Sequence, residues 1–419
     1  MKHVYIFHAT SRGALYGIGT YVDQLVNVMR ESEAKVTIVR YYSSSPLVSS
    51  SMRDGIRYID LPRAIYIDSL LSEEDATFRY GKAMAISLIS FVDRNEENIF
   101  HLNYGNDYSL ALHLKVYFGG TIIKTVHFTQ WSMQLSGDRK KFINLLRQDH
   151  CSLTPKEQVL IRSFYNEKKI MNDCCDIIIA ISDHSYKDLI NIYGVDKEKI
   201  LLVNNALRDV HKTPSAKWKS TLKSHFGMRD DCINLVFAGR LDEVKGIYIL
   251  VKAFEFVIRE RDDVRLYIVG DGVLAPLLKA GIKSCSNISY TGFLEKKELY
   301  RLFSVADIGI IPSIHEEFGY VAIEMMMHHL PIVASNSTGL AEIVEHGKSG
   351  LTTDIKPGKR NFLVSARNLA ESILCLIEDD NLRKTLSEGG FARYKSRYSF
   401  PLYAKKMREV YQVKDKDGQ

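Results

Sequence analysis

Two carboxylates eight residues apart, Glu316 and Glu324, lie on either side of a predicted helix start. Glu316 follows the short β-branched run 308–311, which is typical of a strand buried on both faces of a parallel sheet. Ligands of open α/β sheets bind at the carboxyl ends of the strands. A carboxylate there accepts hydrogen bonds from hydroxyls, so both acids suit a polyol such as a sugar or ribose. Helix capping is the alternative for Glu316 and Glu317, because acids are common in first turns.

Two cations five residues apart, Arg240 and Lys245, lie between a predicted strand and a predicted helix. Arginine binds phosphate through paired hydrogen bonds, lysine adds a point charge, and a helix N-terminus attracts anions. The pair therefore indicates a diphosphate site, with a solvated surface turn as the alternative. A second turn, Gly270-Asp271-Gly272, follows the next strand; it would let a ligand approach the backbone, although such turns are also ordinary after strands.

Two glycines near the N-terminus, Gly17 and Gly19, follow the first predicted strand and open a helix that ends near Met29. They match half of a dinucleotide fingerprint, but Val22 replaces its third glycine, which disfavours nicotinamide binding. His127 ends another predicted strand and is a site hypothesis, since isolated histidines are more often structural. No Asp-X-Asp pair ends a strand and no His, Cys and acid cluster has ligand spacing, so we expect no metal site.

Strands and helices alternate along both halves of the chain, which predicts βαβ units and parallel sheets. The predicted strands are 4–7, 36–39, 99–102, 122–126, 176–181, 235–238, 264–269, 288–290, 308–311 and 332–334. In the second half, helices are predicted at 247–259, 273–283 and 297–305. A chain of 419 residues with 46% hydrophobic content favours two domains, with a linker at 205–215.

Composition also limits the class of protein. A formal charge of +6 on this length does not indicate nucleic acid binding. The six cysteines have no paired metal spacing and are interpreted as reduced thiols of a cytoplasmic protein. The first ten residues fit a strand better than a signal peptide, and no apolar run reaches the ~18 residues of a membrane span. We therefore expect a soluble protein.

Together these motifs resemble the family-4 retaining glycosyltransferases (glycosyltransferase group 1). The resemblance covers nearly the whole chain and is strongest over 235–345, where the series runs Gly-Arg-Leu, Lys-Gly, Val-Gly-Asp-Gly, Gly-Phe, Pro-Ser-x-x-Glu-x-Phe-Gly and a final Glu. It implies an α/β fold of the GT-B type, with two Rossmann-like doubly wound domains facing across a cleft. Residues 1–207 would form the acceptor-side domain and 208–397 the donor-binding domain. A closing helix, 398–413, would pack back onto the first domain.

The resemblance also implies roles for individual residues. Arg240 and Lys245 would hold the donor diphosphate, Glu316 the hydroxyls of the donor sugar, and His127 would reach the transferring sugar from the first domain. Further positions match donor-binding residues of the family: Gly17, Gly19, Gly270, Phe293, Leu294, Phe318, Gly319, Tyr320 and Glu324. Among these, Glu324 would take the ribose hydroxyls.

The implied activity is transfer of a sugar from a nucleotide-diphosphate sugar, UDP- or GDP-linked, to an acceptor hydroxyl with retention and without metal or other cofactor. The acceptor would be a glycan, a lipid-linked sugar or a peptide. An epimerase or inverting transferase would need a dedicated base. A silent scaffold that only binds sugar nucleotides has no physical need for the full set of Arg240, Lys245, Glu316 and Glu324.

Three features depart from the family or extend it. Asn205-Ala206 stands where Asn-Gly is frequent, and Thr338-Gly339 where Gly-Gly is frequent, which leaves the role of Glu342 open. The segment 128–171 is long, basic and partly apolar, and contains Trp131. It is interpreted as an amphipathic helix pair on the sheet, with peripheral contact to the membrane as the alternative.

Overall fold

The computed structural model describes residues 1–10, 17–63, 73–103, 108–357 and 362–415. The chain forms two units. The first comprises Met1–Gln134, Arg139–Asn205 and Phe400–Gln419, and the second comprises Leu135–Asp138 and Ala206–Ser399. The chain thus passes into the second unit at Ala206, within the predicted linker, and the last helix belongs to the first unit.

The first unit is built on an eight-stranded sheet in the order β3-β4-β2-β1-β5-β6-β7-β8. Its strands are β1 Lys2–Ala9, β2 Lys35–Ser43, β3 Ser49–Arg53, β4 Ile56–Pro62, β5 Glu97–Leu102, β6 Thr121–Val126, β7 Ile177–Ala180 and β8 Ile200–Leu202. Its helices are α1 Gly17–Arg30, α2 Glu73–Ser87, α3 Tyr108–Phe118, α4 Gln130–Gln134, α5 Arg139–Leu146, α6 Pro155–Lys169 and α7 Asp183–Asn191, with α16 Phe400–Tyr411 from the end of the chain. All neighbouring strands are parallel except β3, which runs antiparallel to β4 at the edge.

The second unit has a parallel six-stranded sheet in the order β11-β10-β9-β12-β13-β14. Its strands are β9 Ile233–Ala238, β10 Val264–Val269, β11 Ile288–Gly292, β12 Ile308–Ile311, β13 Ile332–Ser335 and β14 Leu351–Thr353, with the antiparallel pair β15 Ile355–Pro357 and β16 Phe362–Val364. Its helices are α8 Ala216–His225, α9 Ile247–Glu260, α10 Leu274–Ala280, α11 Lys296–Phe303, α12 Tyr320–Met327, α13 Thr338–Ile343, α14 Ala366–Glu378 and α15 Asp380–Arg397.

Apolar residues at helical spacing attach α9 to the second sheet. Leu250, Val251, Phe254 and Val257 are all fully buried, and so are Ile308 and Ile310 of β12. Burial of each such side chain contributes on the order of 1.5–3 kcal/mol. The strand order reverses between β9 and β12, which places the loops after these two strands side by side at the carboxyl edge, where doubly wound sheets bind ligands.

The predicted strands all occur, mostly with one or two further residues at their ends. The prediction for 273–283 is wrong in its second part, because α10 ends at Ala280 and a 3-10 helix, Ile282–Asn287, follows Gly281. Glycine at that position weakens continuation of the α-helix. The antiparallel β3–β4 pair is absent from the predictions, since every residue of β3 is exposed and no apolar period marks it.

Candidate functional site

The strand order of the second sheet reverses between β9 and β12, and the loops after these two strands are hydrogen-bonded to each other. The Ile314 N–H donates to the Val244 carbonyl over 2.7 Å. Gly246 begins α9 with a φ of 70°, and a Cβ at this residue would lie 2.0 Å from the carbonyl oxygen of Pro312. Only glycine fits both the left-handed backbone and the close approach. The Lys-Gly pair of the sequence motif therefore brings the lysine loop against the glutamate loop.

Lys245 and Glu316 form an ion pair at this junction. The Lys245 Nζ lies 2.6 Å from Glu316 Oε1, and the side chains are 22% and 15% exposed. Ser313 Oγ donates to the same carboxylate oxygen over 2.9 Å. Asp242 accepts from the Lys245 N–H at 3.0 Å and fixes the lysine backbone. A partly buried pair interacts more strongly than an exposed one, so both side chains are held in one orientation.

Arg240 lies on the same loop but is more exposed. Its Nε is 3.0 Å from Asp242 Oδ2, and about half of its side chain is accessible. A guanidinium carries five N–H donors in a planar fork, and this contact engages one nitrogen. The remaining donors suit an anionic oxygen.

Thr338 and Gly339 hold the backbone of Glu316. The Glu316 N–H donates to Thr338 Oγ1 at 3.2 Å, and that hydroxyl lies 2.5 Å from the Glu316 carbonyl. The Gly339 N–H donates to the same carbonyl at 2.8 Å, and a Cβ on Gly339 would lie 2.5 Å from the Phe318 carbonyl. Thr338 thus supplies a hydroxyl clamp on the glutamate loop.

Glu324 is buried one helical turn into α12, with 5% of its surface exposed. Tyr300 Oη donates to its Oε1 at 3.0 Å. Burial raises the pKa of the Glu324 carboxyl, while the charge of Lys296 and the Tyr300 hydrogen bond act in the opposite direction. Tyr300 satisfies one carboxylate oxygen of Glu324 and so fixes the orientation of the other.

Three further residues predicted to bind the donor lie between Glu316 and Glu324 in the chain. Gly319, with a φ of 110°, precedes α12, Tyr320 begins it, and Phe318 is buried against Tyr320 and Tyr398 at ring distances of 5.4 and 5.7 Å. The Phe318 ring therefore packs in the protein interior, so only the backbone of this residue remains for a ligand.

The turns after β10 and β11 lie at the same sheet edge. The Gly270 N–H donates to the Gly292 carbonyl over 2.9 Å, which ties the two turns together. Phe293 follows with 45% of its surface exposed, and Leu294 is half-buried. These positions are compatible with contact to a planar base, the role implied by the resemblance.

Three predicted site residues belong to the first unit. His127 follows β6, is 9% exposed, and lies edge-on to the Tyr21 ring at 4.5 Å. Its Nε2 is 3.4 Å from Asn103 Oδ1, and burial lowers its pKa to about 3, so the imidazole is neutral at pH 7. Gly17 and Gly19 form the first turn of α1, whose N–H groups have no acceptor within the helix. Tyr16, before them, lies outside the described residues.

Sequence reasoning did not identify three contributors: Ser313, Thr338 and Tyr300. Ser313 is part of the Pro-Ser motif, but its bond to Glu316 depends on the loop conformation. Thr338 is marked in the sequence only by the absence of a second glycine before Gly339. Tyr300 gives no signal, because a tyrosine on an amphipathic helix is usual in a core.

The segment 128–171 folds as α4, α5 and α6. Trp131 is 2% exposed and stacks on Phe142 at 4.8 Å, and Phe142 contacts Phe164 edge-on. These three aromatic side chains therefore face inward, whereas Tyr165 of α6 is 56% exposed. Among the described helices, none is both long and apolar enough to cross a membrane. Within the described ranges, no three His, Cys, Asp or Glu side chains are grouped to hold a metal ion.

A family model and curated relatives match part of the chain. Residues 232–379 match the family model described as glycosyl transferases group 1. The chain is 26% identical over 268 residues to the D-inositol 3-phosphate glycosyltransferase of Thermobispora bispora, a match that covers 61% of this chain and 60% of that protein. The match thus spans somewhat less than two thirds of that curated relative.

Solved structures resemble the chain over nearly its full length. The sucrose-phosphate synthase of Thermosynechococcus elongatus has a TM-score of 0.74 at 18% identity, with 98% of each chain covered. Anabaena HepE, solved in complex with UDP-glucose, has a TM-score of 0.68 at 17% identity and covers 98% of this chain and 99% of its own. These likenesses confirm the predicted fold class, α/β of the GT-B type.

Proposed function

We propose that this protein is a family-4 retaining glycosyltransferase that moves a sugar from a nucleotide-diphosphate sugar to an acceptor hydroxyl without a metal ion. The observation that carries the proposal is the Lys245–Glu316 pair at the strand-order reversal, within the segment that matches glycosyl transferases group 1. A cation and a carboxylate 2.6 Å apart offer adjacent partners for a diphosphate and a sugar hydroxyl.

In this mechanism the cations act on the leaving group. Arg240 and Lys245 stabilise the negative charge that grows on the departing diphosphate, as Mg²⁺ does in other enzymes. Stabilisation that strengthens toward the transition state raises the rate of the chemical step. Each cation is expected to contribute a few kcal/mol, roughly 3, by analogy with single preorganised donors.

Glu316 accepts hydrogen bonds from hydroxyls of the donor sugar. The bond between the anomeric carbon and the diphosphate oxygen breaks, the bond to the acceptor oxygen forms on the same face, and the acceptor proton passes to the departing phosphate. His127, neutral at pH 7 because burial lowers its pKa to about 3, serves as a hydrogen-bonding partner for the sugar rather than as a charged acid.

Glu324 takes the ribose hydroxyls, with Tyr300 fixing its orientation. Backbone groups near Phe293 and Leu294 would contact the base, and the proposed donor is a UDP- or GDP-linked sugar. Anabaena HepE, which shares the fold, was solved with UDP-glucose. The proposed acceptor is a glycan, a lipid-linked sugar or a peptide.

The stereochemical outcome tests this proposal directly. The protein is incubated with α-linked UDP-glucose, UDP-N-acetylglucosamine or GDP-mannose in EDTA, with water and simple glycosides as acceptors, and products are followed by proton NMR. We expect an α-configured first product from the preferred donor and its loss in Lys245→Met. A β-configured first product would establish inversion and overturn the retaining assignment.

A further inference from the structure

The first unit contains a second polar site. An open cavity of about 500 Å³ lies beside the carboxyl ends of β1, β2 and β4, within the size range of small-molecule sites. Its lining includes Arg40, Arg63, Asp60, Thr10, Ser43 and Ser44. The carboxyl edge is where ligands of parallel sheets bind, and no residue discussed for the donor lies here.

Charge in this cavity is unequally compensated. Arg40 Nε and Nη2 donate to the two oxygens of Asp60 at 2.8 and 2.7 Å, so this pair is a closed, bidentate salt bridge. Arg63 has no carboxylate partner among the described contacts and is exposed. The net charge of the lining is therefore one positive unit, carried by the Arg63 guanidinium.

The backbone of Tyr42 holds this arginine in place. Tyr42 has a φ of 54°, which is uncommon for a residue with a large side chain. Its carbonyl accepts from Thr10 Oγ1 at 2.6 Å and from Arg63 Nε at 3.1 Å. Its N–H donates to Tyr80 Oη at 3.3 Å, and the two rings stack at 5.2 Å. Because Nε is engaged, the four terminal N–H groups of Arg63 remain for a ligand.

We propose that this cavity binds the phosphate of a phosphorylated sugar, which serves as the acceptor. This rests on the proposed function, because it assigns an acceptor class to the same reaction. The Arg63 terminal nitrogens and the hydroxyls of Ser43 and Ser44 would donate to the phosphate oxygens, while Asp60 would accept from a sugar hydroxyl. A cavity with one uncompensated guanidinium and several hydroxyls suits an anionic polyol better than a neutral glycan.

Binding of glucose 6-phosphate, inorganic phosphate and glucose to the full chain is measured by calorimetry, for wild type, Arg63→Gln and Arg63→Lys. The matched control is Arg57→Gln, an exposed arginine on β4 that does not line the cavity. We expect Arg63→Gln to weaken the affinity for glucose 6-phosphate at least tenfold. Arg63→Lys should lose less affinity, and Arg57→Gln should bind glucose 6-phosphate as wild type does. Unchanged melting without ligand verifies that each variant is folded.

Phosphate could instead occupy the diphosphate site of the second unit. Binding that is lost in Lys245→Met but kept in Arg63→Gln would overturn the inference. So would Arg63-dependent pelleting with phosphatidic acid vesicles when glucose 6-phosphate does not bind, since the phosphate would then come from a lipid.

UDP binding to the same variants separates the two proposals. If UDP binds in a Lys245-dependent manner and glucose 6-phosphate does not bind, only the acceptor inference fails. If glucose 6-phosphate binds through Arg63 and no nucleotide binds, the proposed function fails, and the acceptor role falls with it.

Discussion

The Lys245 ammonium lies 2.6 Å from a carboxylate oxygen of Glu316, a residue 71 positions away in the sequence. An ammonium has three N–H donors, and this contact uses one. Glu316 therefore orients the lysine while leaving donors for a phosphate. This ion pair places Glu316, the proposed partner of a sugar hydroxyl, next to Lys245, the proposed partner of a diphosphate.

Replacing Lys245 should affect the chemical step. We expect Lys245→Met to lower kcat/KM by roughly 10²- to 10³-fold, the usual cost of removing one preorganised donor. Lys245→Arg should lose less, because the charge remains. Lys252→Met, at an exposed position on α9, the helix that follows the lysine loop, is the control and should leave kcat/KM within twofold. Equal kcat/KM values for Lys245→Met and Lys252→Met would show that Lys245 has no role in the chemical step.

The hydroxyl clamp on Glu316 can be tested at Thr338. Thr338→Val keeps the shape but leaves the Glu316 N–H and carbonyl without the hydroxyl. The Gly339 N–H still donates to the carbonyl, so the expected cost of about 1–3 kcal/mol comes from the Glu316 N–H, which loses its acceptor. It should be seen as lower stability and a lower kcat/KM. Thr338→Ser should restore most of both quantities. Wild-type kinetics in Thr338→Val would show that the clamp is dispensable.

Gly246 tests the junction of the two loops. Gly246→Ala combines left-handed strain with a Cβ 2.0 Å from the Pro312 carbonyl. We expect the free energy of unfolding to fall by more than ~3 kcal/mol, the sum of both effects. Gly227 has a similar φ of 64°, but a Cβ at this residue would have no atom within 4 Å. Gly227→Ala should therefore lower the free energy of unfolding by only ~1–2 kcal/mol. Equal losses in denaturant unfolding would contradict the close approach.

Tyr300 and Glu324 should be linked in nucleotide binding. Without the hydroxyl, Tyr300→Phe leaves a buried carboxylate oxygen without its donor, and UDP affinity should fall roughly tenfold or more at pH 7. Burial already raises the Glu324 pKa, so affinity is lost as pH falls through that pKa, and the loss should begin at higher pH in the variant. Calorimetry from pH 5 to 8 measures this, with Tyr290→Phe as control. Parallel curves of UDP affinity against pH for Tyr300→Phe and Tyr290→Phe would contradict a role of Tyr300 in UDP binding through Glu324.

His127 should make folding sensitive to acid. Its pKa is lowered to about 3 by burial, whereas an unfolded histidine titrates near 6.5. Below pH 6.5 the unfolded chain binds a proton that the folded chain does not, so stability falls as pH falls. His127→Gln should therefore reduce the slope of unfolding free energy against pH by up to ~1.4 kcal/mol per unit between pH 6 and 5. Urea unfolding measures both slopes, which should coincide above pH 7. Identical slopes below pH 6 would show that His127 is protonated in the folded protein.

Local patterns were enough to predict the framework of the second unit. The apolar runs of β9 and β12 predict strands, and Lys245, Glu316 and Glu324 follow them as residue types that can bind a phosphate or a hydroxyl. The contact between Lys245 and Glu316 could not be predicted from these motifs, because it depends on which strands are neighbours in the sheet.

The hydrogen bonds from Thr338 to Glu316 and from Tyr300 to Glu324 could not be predicted from sequence patterns either. Thr338 acts through backbone atoms of a distant loop, and Tyr300 shares the spacing of an ordinary core residue. The cavity near Arg63 could not be predicted from sequence patterns, because Tyr42 adopts a left-handed backbone that its residue type disfavours. Sequence patterns therefore located the chemical groups, while their partners required the tertiary structure.

The most direct test of the central claim is thermal unfolding of wild type and Lys245→Met in EDTA with UDP, GDP, ADP or CMP in excess. A ligand at one hundred times its dissociation constant adds ~2.7 kcal/mol of stability. We expect UDP or GDP to raise the melting temperature of wild type and to do so much less in Lys245→Met. If none of the four nucleotides stabilises wild type at millimolar concentration, or if Lys245→Met responds as wild type does, this site does not bind a nucleotide-diphosphate donor.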